Sequence, residues 1–241
     1  LLQSECRLNI LALDTSTEAC SVAMLRDDGE VFSMFEIAPR QHTKLLPQML
    51  NTVLSHSQLS KSDITHCAFA NGPGAFTGIR IAASTAQGIA MALDIPIASI
   101  SSLAVLAQVS FDKYAVPNVL VALDARMSEV YWAVYESDTL GLAVLKGCEN
   151  LNKLADVYLQ DIPAAGTGHG WAVGEDIWRQ KFLGAQEITL DSALLPNSTA
   201  LLKLAQRAIG NGAVVSAECV SINYLRNNVA EKSKKNPLAR G

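Results

Sequence analysis

Two short polar turns carry the residues whose types suit phosphate or magnesium chemistry. Asp14, Thr15 and Ser16 follow one apolar run, and Asp124 and Arg126 follow another. A carboxylate beside hydroxyl groups can contact a phosphate or a bound Mg²⁺ ion, which prefers oxygen ligands. These five residues are therefore candidate nucleotide-binding residues.

Each turn also has a purely structural interpretation. At the first turn, Asp14 and Ser16 can satisfy local backbone amides. We favour that role, because no glycine there lets the backbone close on a phosphate as in a P-loop. At the second turn, Asp124 and Arg126 can form a surface ion pair, which contributes little to stability. The matching position of the two turns favours phosphate binding, so both interpretations stay open at the second.

A glycine-rich corner joins a short apolar strand to a long helix. Gly72, Pro73 and Gly74 force a tight turn, and the hydroxyl of Thr77 can cap the helix. Such a corner can hold an anion at the helix N-terminus, or it can serve only to aim the helix, which we favour. The corner comprises Asn71, Gly72, Pro73, Gly74, Thr77 and Gly78.

The helices on either side of this corner are unusually poor in charge. Arg80 is the only charged residue from 78 to 93, and Lys44 is the only lysine, arginine or acid from 42 to 56. A helix with one solvated face normally carries more charge. We therefore expect one face to pack on its own sheet and the other to be covered by another protein. The predicted partner surface comprises Leu45, Leu46, Met49, Leu50, Val53, Arg80, Ala82, Thr85, Ala86, Ile89 and Ala90.

Other kinds of site find little support. His42, His56, His66 and His169 are dispersed, so no spacing predicts a metal site. The five cysteines form no C-x-x-C pair, and no serine lies in a G-x-S-x-G elbow. The glycine-rich stretch 164–170 could support an adenine or a ribose, but we favour a plain surface loop.

The apolar pattern predicts an α/β chain whose first part recurs. In the first part, it indicates strands at 8–13, 20–25, 30–37, 67–70 and 95–100 and helices at 42–56, 78–93 and 101–109. In the second part, it indicates strands at 119–123 and 142–148, with a further strand through Ala133 between them, and helices at 151–159 and 199–209.

An offset of about 110 residues aligns the two parts without a gap. Asp14 then matches Asp124, Ala23 matches Ala133, and Asp28 matches Asp138. A strand, an acidic turn, a strand, a turn and a strand follow in the same order both times. This self-similarity favours an internal duplication.

Composition narrows the class of protein. The 241 residues are 49% hydrophobic and 17% charged, with a formal net charge of −4. Such a chain has no general attraction for nucleic acid. No apolar run reaches the length of a membrane span, and residues 1–7 lack the apolar region of a signal peptide. Isolated cysteines of this kind are usually buried and inert, and we expect a cytoplasmic location.

Several motifs resemble one protein family. An acidic turn after the first strand of a hairpin, present twice, resembles the actin-like ATPase fold (ASKHA, ribonuclease-H-like). The stretches LALDTST and NGPGAFTGIRI, with Asp124-Ala125-Arg126 and residues 224–227, resemble the bacterial TsaB (YeaZ) family. The match is strongest from Ile10 to Leu106. The resemblance implies a duplicated α/β fold with two mixed sheets and flanking helices.

The resemblance also implies a function. TsaB proteins are described as non-catalytic scaffolds in making threonylcarbamoyladenosine at position 37 of tRNAs that read codons beginning with A. They pair with the catalytic paralogue TsaD through the helices beside the glycine corner, with the ATPase TsaE, and with themselves. The metal-binding His-x-x-x-His of TsaD aligns here with Ser102 and Leu106, which are not metal ligands. We expect no metal, no stable cofactor on this chain alone, ATP or ADP at the partner interface, and tRNA contact only through the complex.

Domain boundaries and alternative functions complete the expectations. We place an N-terminal subdomain at 1–107, rejoined by part of 212–230, a second at 108–211, and a disordered basic tail at 231–241. The duplicated acidic turn leaves open an active ATPase or small-molecule kinase. A metalloprotease is a weaker alternative, because the His-x-x-x-His motif is missing.

Overall fold

The computed structural model describes residues 7–183 and 188–226. The first part of the chain contains five strands and three helices. They are β1 (Ile10–Asp14), β2 (Ala19–Leu25), β3 (Val31–Ile37), α1 (His42–Ser57), β4 (His66–Ala70), α2 (Phe76–Leu93), β5 (Ile97–Ile100) and α3 (Ser102–Tyr114).

The second part repeats the strands but has shorter connections. Its elements are β6 (Asn118–Arg126), β7 (Glu129–Ser137), β8 (Ala143–Lys153), β9 (Ala165–Thr167), α4 (Glu175–Trp178), β10 (Thr189–Asp191) and α5 (Ser198–Gly210). Short 3₁₀ turns lie at Lys61–Asp63, Leu154–Asp156, His169–Ala172 and Ala217–Cys219, and a single π turn at Arg179–Leu183.

The two sheets have the same strand order, which confirms the predicted duplicated α/β fold. The first runs β3-β2-β1-β4-β5, and the second, taken in the same direction, runs β8-β7-β6-β9-β10. In each sheet three sequential strands form an antiparallel meander. Two further strands extend it, and both run parallel to the first strand. Because both halves place the first strand at the centre, both acidic turns leave the middle of a sheet.

The gap-free alignment fails at the second strand. Ala12 pairs with Ala23 in the first sheet, whereas Ala122 pairs with Trp132 in the second. A bulge between Asp124 and Arg126 shifts the register by one residue. The predicted match of Ala23 with Ala133 is therefore wrong, because a bulge inserts a residue that a linear alignment cannot place.

The molecule is built in layers. Helices α1 and α2 cover one face of the first sheet, and α3 and α5 lie between the two sheets. The outer face of the second sheet is covered by a cluster that includes Trp171 and Trp178, whose rings stack at 4.4 Å. Helix α5 packs mainly on β1 and β2 of the first sheet, while α3 packs on β6 and β8 of the second. Each half thus supplies the helix that packs on the inner face of the other half's sheet.

Two sequence predictions in the second half are wrong. No helix spans 151–159: β8 continues to Lys153, and one 3₁₀ turn follows. The stretch 164–170 is not a surface loop either, since it forms the buried strand β9 and enters a 3₁₀ turn. A side chain at Gly166 would overlap the ring of Trp171, so the glycine makes room for this packing.

After α5 the chain returns to the first half. Residues 213–226, called the strap below, begin with an antiparallel bridge in which Val215 and Ile97 exchange two hydrogen bonds of 2.9 Å. The predicted boundary after residue 107 falls inside α3. The division into domains stays a prediction, and the tail 231–241 lies outside the described residues. Among the described helices, none has the length and hydropathy needed to cross a membrane.

Candidate functional site

The glycine corner is fixed by hydrogen bonds to α3 and to the strap. The N–H of Gly72 donates to the Ser102 hydroxyl at 3.1 Å, and the Ser102 N–H donates to the Gly72 carbonyl at 2.9 Å. The Asn223 N–H donates to the Asn71 carbonyl at 2.9 Å. Gly72 has a φ of +103°, and a side chain there would lie 2.9 Å from the Asn223 carbonyl oxygen. A larger residue would therefore be strained and would push the strap away.

Two further glycines let the corner pack directly on the first acidic turn. A side chain at Gly74 would overlap the carbonyl of Ser16, and one at Gly78 would overlap the carbonyl of Thr15. The Ala75 N–H donates to the Ser16 carbonyl at 2.7 Å, and the Thr15 hydroxyl donates to the Gly78 carbonyl at 2.7 Å. These contacts fix the direction in which α2 leaves the sheet.

The predicted helix cap is wrong. The N-cap residue of α2 is Ala75, and no side chain caps the helix. Thr77 lies in the first turn and is exposed. The packing of the corner on Thr15 and Ser16 sets the start of the helix, so a capping hydroxyl is not what defines it.

The first acidic turn is closed off from solvent. Asp14 is only 2% exposed, and Thr15 and Ser16 are fully buried. One Asp14 carboxyl oxygen accepts the Ser16 N–H at 2.8 Å, while the other oxygen and the Ser16 hydroxyl have no hydrogen-bond partner among the described residues. Burial raises the pKa of Asp14 to about 6. In this conformation the turn offers a phosphate almost no accessible surface, which supports its structural role.

The second acidic turn is open and strained. Asp124 accepts hydrogen bonds from the Arg126 backbone at 2.7 Å and from its guanidinium at 2.9 Å. The Arg126 side chain is 87% exposed. Arg126, Met127 and Ser128 all have positive φ, a conformation that is unfavourable for side chains other than glycine. The surface ion pair considered in the sequence analysis is thus present, beside an exposed turn.

A histidine contacts the backbone of the second acidic turn. The Asp124 N–H donates to Nδ1 of His169 at 2.9 Å, so the imidazole accepts there and carries its proton on Nε2. Burial lowers the pKa of His169, against the attraction of Glu18 and Asp124.

Six residues of the predicted partner surface are buried inside the chain, so that part of the prediction is wrong. Apolar periodicity indicates a buried face, but it cannot distinguish the chain's own sheet from a partner. These residues pack on the first sheet: Leu46, Met49, Val53, Ala82, Ala86 and Ala90. Leu45, Leu50, Thr85 and Ile89 are half-buried and Arg80 is exposed.

The opposite side of α2 forms an accessible surface with a single charge. We call it the α2 outer face, and its only charged residue is Arg80. Gly88 lies in its middle, where a side chain would meet nothing within 4 Å. Within the part of the chain that the structure describes, no neighbouring atom requires a glycine at that exposed helical position. The face comprises Phe76, Thr77, Arg80, Ile81, Ser84, Thr85, Gly88, Ile89, Met91 and Ala92.

An aromatic pair closes one end of this face. The guanidinium carbon of Arg80 lies 3.7 Å from the centre of the Phe76 ring, and its Nε donates to the Tyr224 hydroxyl at 3.0 Å. Phe76 is 50% exposed and Tyr224 is 43% exposed. Sequence reasoning missed both residues as members of the surface, although residues 224–227 were part of the family resemblance.

Ser102 and Leu106, which the family resemblance aligns with metal ligands of TsaD, have other contacts here. The Ser102 hydroxyl binds the glycine corner, and Leu106 lies in the core between the sheets. Within residues 7–183 and 188–226, no group of three or more metal-binding side chains comes together.

Burial raises the pKa of Cys20 to about 11 and that of Cys67 to about 12. Cys148 and Cys219 are exposed, so the expectation of buried cysteines holds for only part of the set.

Comparison with known proteins places these features in a family. Residues 34–234 match the family model described as "TsaD: tRNA N6-adenosine threonylcarbamoyltransferase". The tRNA threonylcarbamoyladenosine biosynthesis protein TsaB of Escherichia coli is 38% identical over 235 residues, which cover 93% of this chain and 97% of that protein. The TsaB protein of Haemophilus influenzae is 36% identical over 239 residues, covering 93% and 96%.

Solved structures agree with the sequence comparison. The structure described as YeaZ from Pseudomonas aeruginosa superposes with a TM-score of 0.82 at 38% identity, covering 90% of this chain and all of that one. A second Pseudomonas aeruginosa structure, described as similar to peptidase YEAZ, gives a TM-score of 0.83 at 39% identity, covering 91% and 100%. Fold and sequence thus point to the same relatives.

Proposed function

Because the chain belongs to the TsaB (YeaZ) family, we propose that it is a non-catalytic scaffold subunit in the synthesis of threonylcarbamoyladenosine on tRNA. In this proposal it binds the catalytic subunit TsaD and the ATPase TsaE, and it forms a homodimer when alone. The names of its relatives support a role in this biosynthesis. The modified position would be adenosine 37 of tRNAs that read codons beginning with A, as the family resemblance implies.

The α2 outer face is the observation that carries the proposal. It is accessible along the whole helix, and Arg80 is its only charge. Charged residues are depleted at the centres of protein interfaces, where desolvation is costly. Ser84, Gly88 and Ala92 form a shallow track along the helix, because their side chains are small. A partner helix can therefore approach its backbone closely.

The residues around the acidic turns support a non-catalytic role. The first turn is buried against α2. Ser102 and Leu106, at the positions aligned with metal ligands of TsaD, hold the glycine corner and fill the core. The chemistry of transfer would then belong to the partner, and this chain would bind and position it. ATP or ADP would bind at the joint with the partner, tRNA would contact the chain only through the complex, and the complex would work in the cytoplasm.

The experiment is to replace Gly88 by leucine. The position has open space before it, so the fold should tolerate the larger side chain, but the track on α2 is filled. We expect the affinity for TsaD and for a second copy to fall at least about tenfold, which corresponds to about 1.4 kcal/mol. The yield of threonylcarbamoyladenosine in a reconstituted reaction should fall with it.

A matched control comes from the other end of the molecule. Gly210 ends α5, is exposed, and also has no neighbour within 4 Å of an added side chain. Gly210→Leu should leave binding and yield unchanged. Unchanged affinity in Gly88→Leu would contradict the docking assignment. Ala86→Arg is a poor test, because Ala86 is buried and the arginine would disrupt the core.

An active ATPase or small-molecule kinase is the second candidate, favoured by the acidic turn that follows the central strand of each sheet. It requires ATP turnover by the purified chain alone, with loss of turnover in Asp14→Asn. Because Asp14 is buried, any turnover would require the first turn to open. Absence of turnover in the isolated chain, together with stimulation of TsaD, would favour the scaffold.

A further inference from the structure

Four consecutive residues of the strap, 223–226, touch three parts of the molecule. Asn223 donates its backbone N–H to Asn71 in the glycine corner at 2.9 Å. Its side chain donates to the Glu149 carboxylate of β8 at 2.7 Å. Glu149 also accepts hydrogen bonds from the Tyr135 hydroxyl at 2.7 Å and from the Ser101 hydroxyl that caps α3. One side chain of the second half therefore holds the strap and the start of α3 together.

Tyr224, the next residue of this segment, contacts the α2 outer face. The Tyr224 hydroxyl accepts a hydrogen bond from Nε of Arg80, and its ring lies 6.0 Å from that of Phe76. The end of the outer face is therefore built partly from the strap. Displacement of residue 224 would leave Phe76 and Arg80 without this support.

The last residue clamps the second acidic turn. The Arg226 guanidinium donates to the Ala125 carbonyl at 2.9 Å and to the Glu129 carboxylate. It also approaches the Met127 sulfur at 3.6 Å. Arg226 thus holds both ends of the turn that contains three successive positive φ angles. A strained segment of this kind persists only while its surroundings fix it.

We propose that residues 223–226 couple the second acidic turn to the α2 outer face, so that docking on the face and the conformation of the turn change together. Arg226 is a positioning residue in this coupling, since its side chain contacts the second acidic turn and not the α2 outer face. Coupling between two sites is reciprocal, so an occupied face should also hold the turn more firmly. The inference rests on the proposed function for its docking partner, but the coupling within the chain can be measured without one.

The test compares Arg226→Lys with Arg207→Lys. Lysine keeps the positive charge but loses the planar fork that binds a carboxylate and a carbonyl together. Arg207 has a similar pair of acceptors, the Asp138 carboxylate and the Ala143 carbonyl, in a different hairpin turn. Arg207 takes no part in the strap contacts described above, so Arg207→Lys controls for a general loss of stability.

Hydrogen exchange in the isolated chain is the first measurement. In Arg226→Lys, amides in two separate segments, 76–82 and 124–130, should exchange about 5- to 10-fold faster, a range typical of coupled sites. Arg207→Lys should leave segment 76–82 unchanged. Should Arg226→Lys fail to fold, Glu129→Gln removes the same ion pair with little change in size. Faster exchange confined to 124–130, or equal changes in the Arg207 variant, would overturn the coupling.

Binding to TsaD is the second measurement. Arg226→Lys should weaken it about 5- to 10-fold while Arg207→Lys does not. If Gly88→Leu weakens binding but Arg226→Lys leaves it unchanged, the docking face stands and the coupling is wrong. If neither variant weakens binding, the docking assignment fails; if the parent chain does not bind TsaD at all, the proposed function fails. In both cases exchange in the isolated chain still decides whether the two segments are coupled.

Discussion

The carboxyl of Asp14 links the stability of the first half to pH. Its pKa of about 6 in the folded chain lies above the usual 3.8, because burial disfavours the charged form. Between these two values the folded state holds a proton that the unfolded state has released. The free energy of unfolding should therefore fall as pH rises from about 4 to about 6, and stay level above that range as far as this group is concerned.

Asp14→Asn tests this link directly. The asparagine keeps an acceptor for the Ser16 N–H but cannot ionise. At pH 7 the variant should be more stable than the parent chain by up to about 3 kcal/mol, while at pH 4 the two should be nearly equal. Urea denaturation at both pH values measures the difference. The prediction would be wrong if the variant had the same stability relative to the parent at pH 4 and pH 7.

The sequence identified the residues of the candidate site that form continuous motifs. Gly72, Gly74 and Gly78 were found because their spacing between a strand and a helix is unusual. Phe76 and Tyr224 were missed as a pair, because they come together only when the strap returns across α2. The sequence also did not predict the burial of Asp14 and its raised pKa, since burial depends on how α2 packs and not on local residue types.

Helix α2 contains two glycines with opposite roles, and they form a matched pair for a stability test. Gly78→Ala places a methyl group against the Thr15 carbonyl and should destabilise the chain by about 2–3 kcal/mol, as overpacking does. Gly88→Ala meets open space and should stabilise it by about 0.5–1 kcal/mol through helix propensity. Urea midpoints of both variants give the comparison. Equal effects would contradict the close contact between α2 and the first turn.

Elements in the first half were predicted well because each has a clear period and a marked end. The helix predicted at 78–93 spans Phe76–Leu93, and the one predicted at 42–56 spans His42–Ser57. The prediction for 151–159 failed because strand pairing overrides local preference. Leu151 and Lys153 pair with Tyr131 and Glu129 of β7, and that long-range contact extends β8.

The charge distribution of the whole molecule predicts how its association responds to salt. The α2 outer face carries one charge, so hydrophobic contact rather than attraction between charges should hold a partner there. Raising NaCl from about 0.05 M to about 0.5 M should change the dissociation constant less than about threefold, although such salt screens exposed charges strongly. Analytical ultracentrifugation of the isolated chain measures this for the homodimer. A tenfold weakening would indicate a charged interface elsewhere.

The exchange of inner helices between the halves has a consequence for folding. Helix α5 follows the second sheet in the chain but covers the first, and α3 follows the first sheet but covers the second. In a polypeptide that carried a single repeat, no helix would cover the inner face of the sheet. Its last helix would have no sheet to pack on. Two such polypeptides could cover both sheets only if each packed its last helix on the sheet of the other, as in a domain-swapped dimer. The present chain resembles such a swapped pair joined into one covalent molecule, and we expect that neither repeat folds on its own.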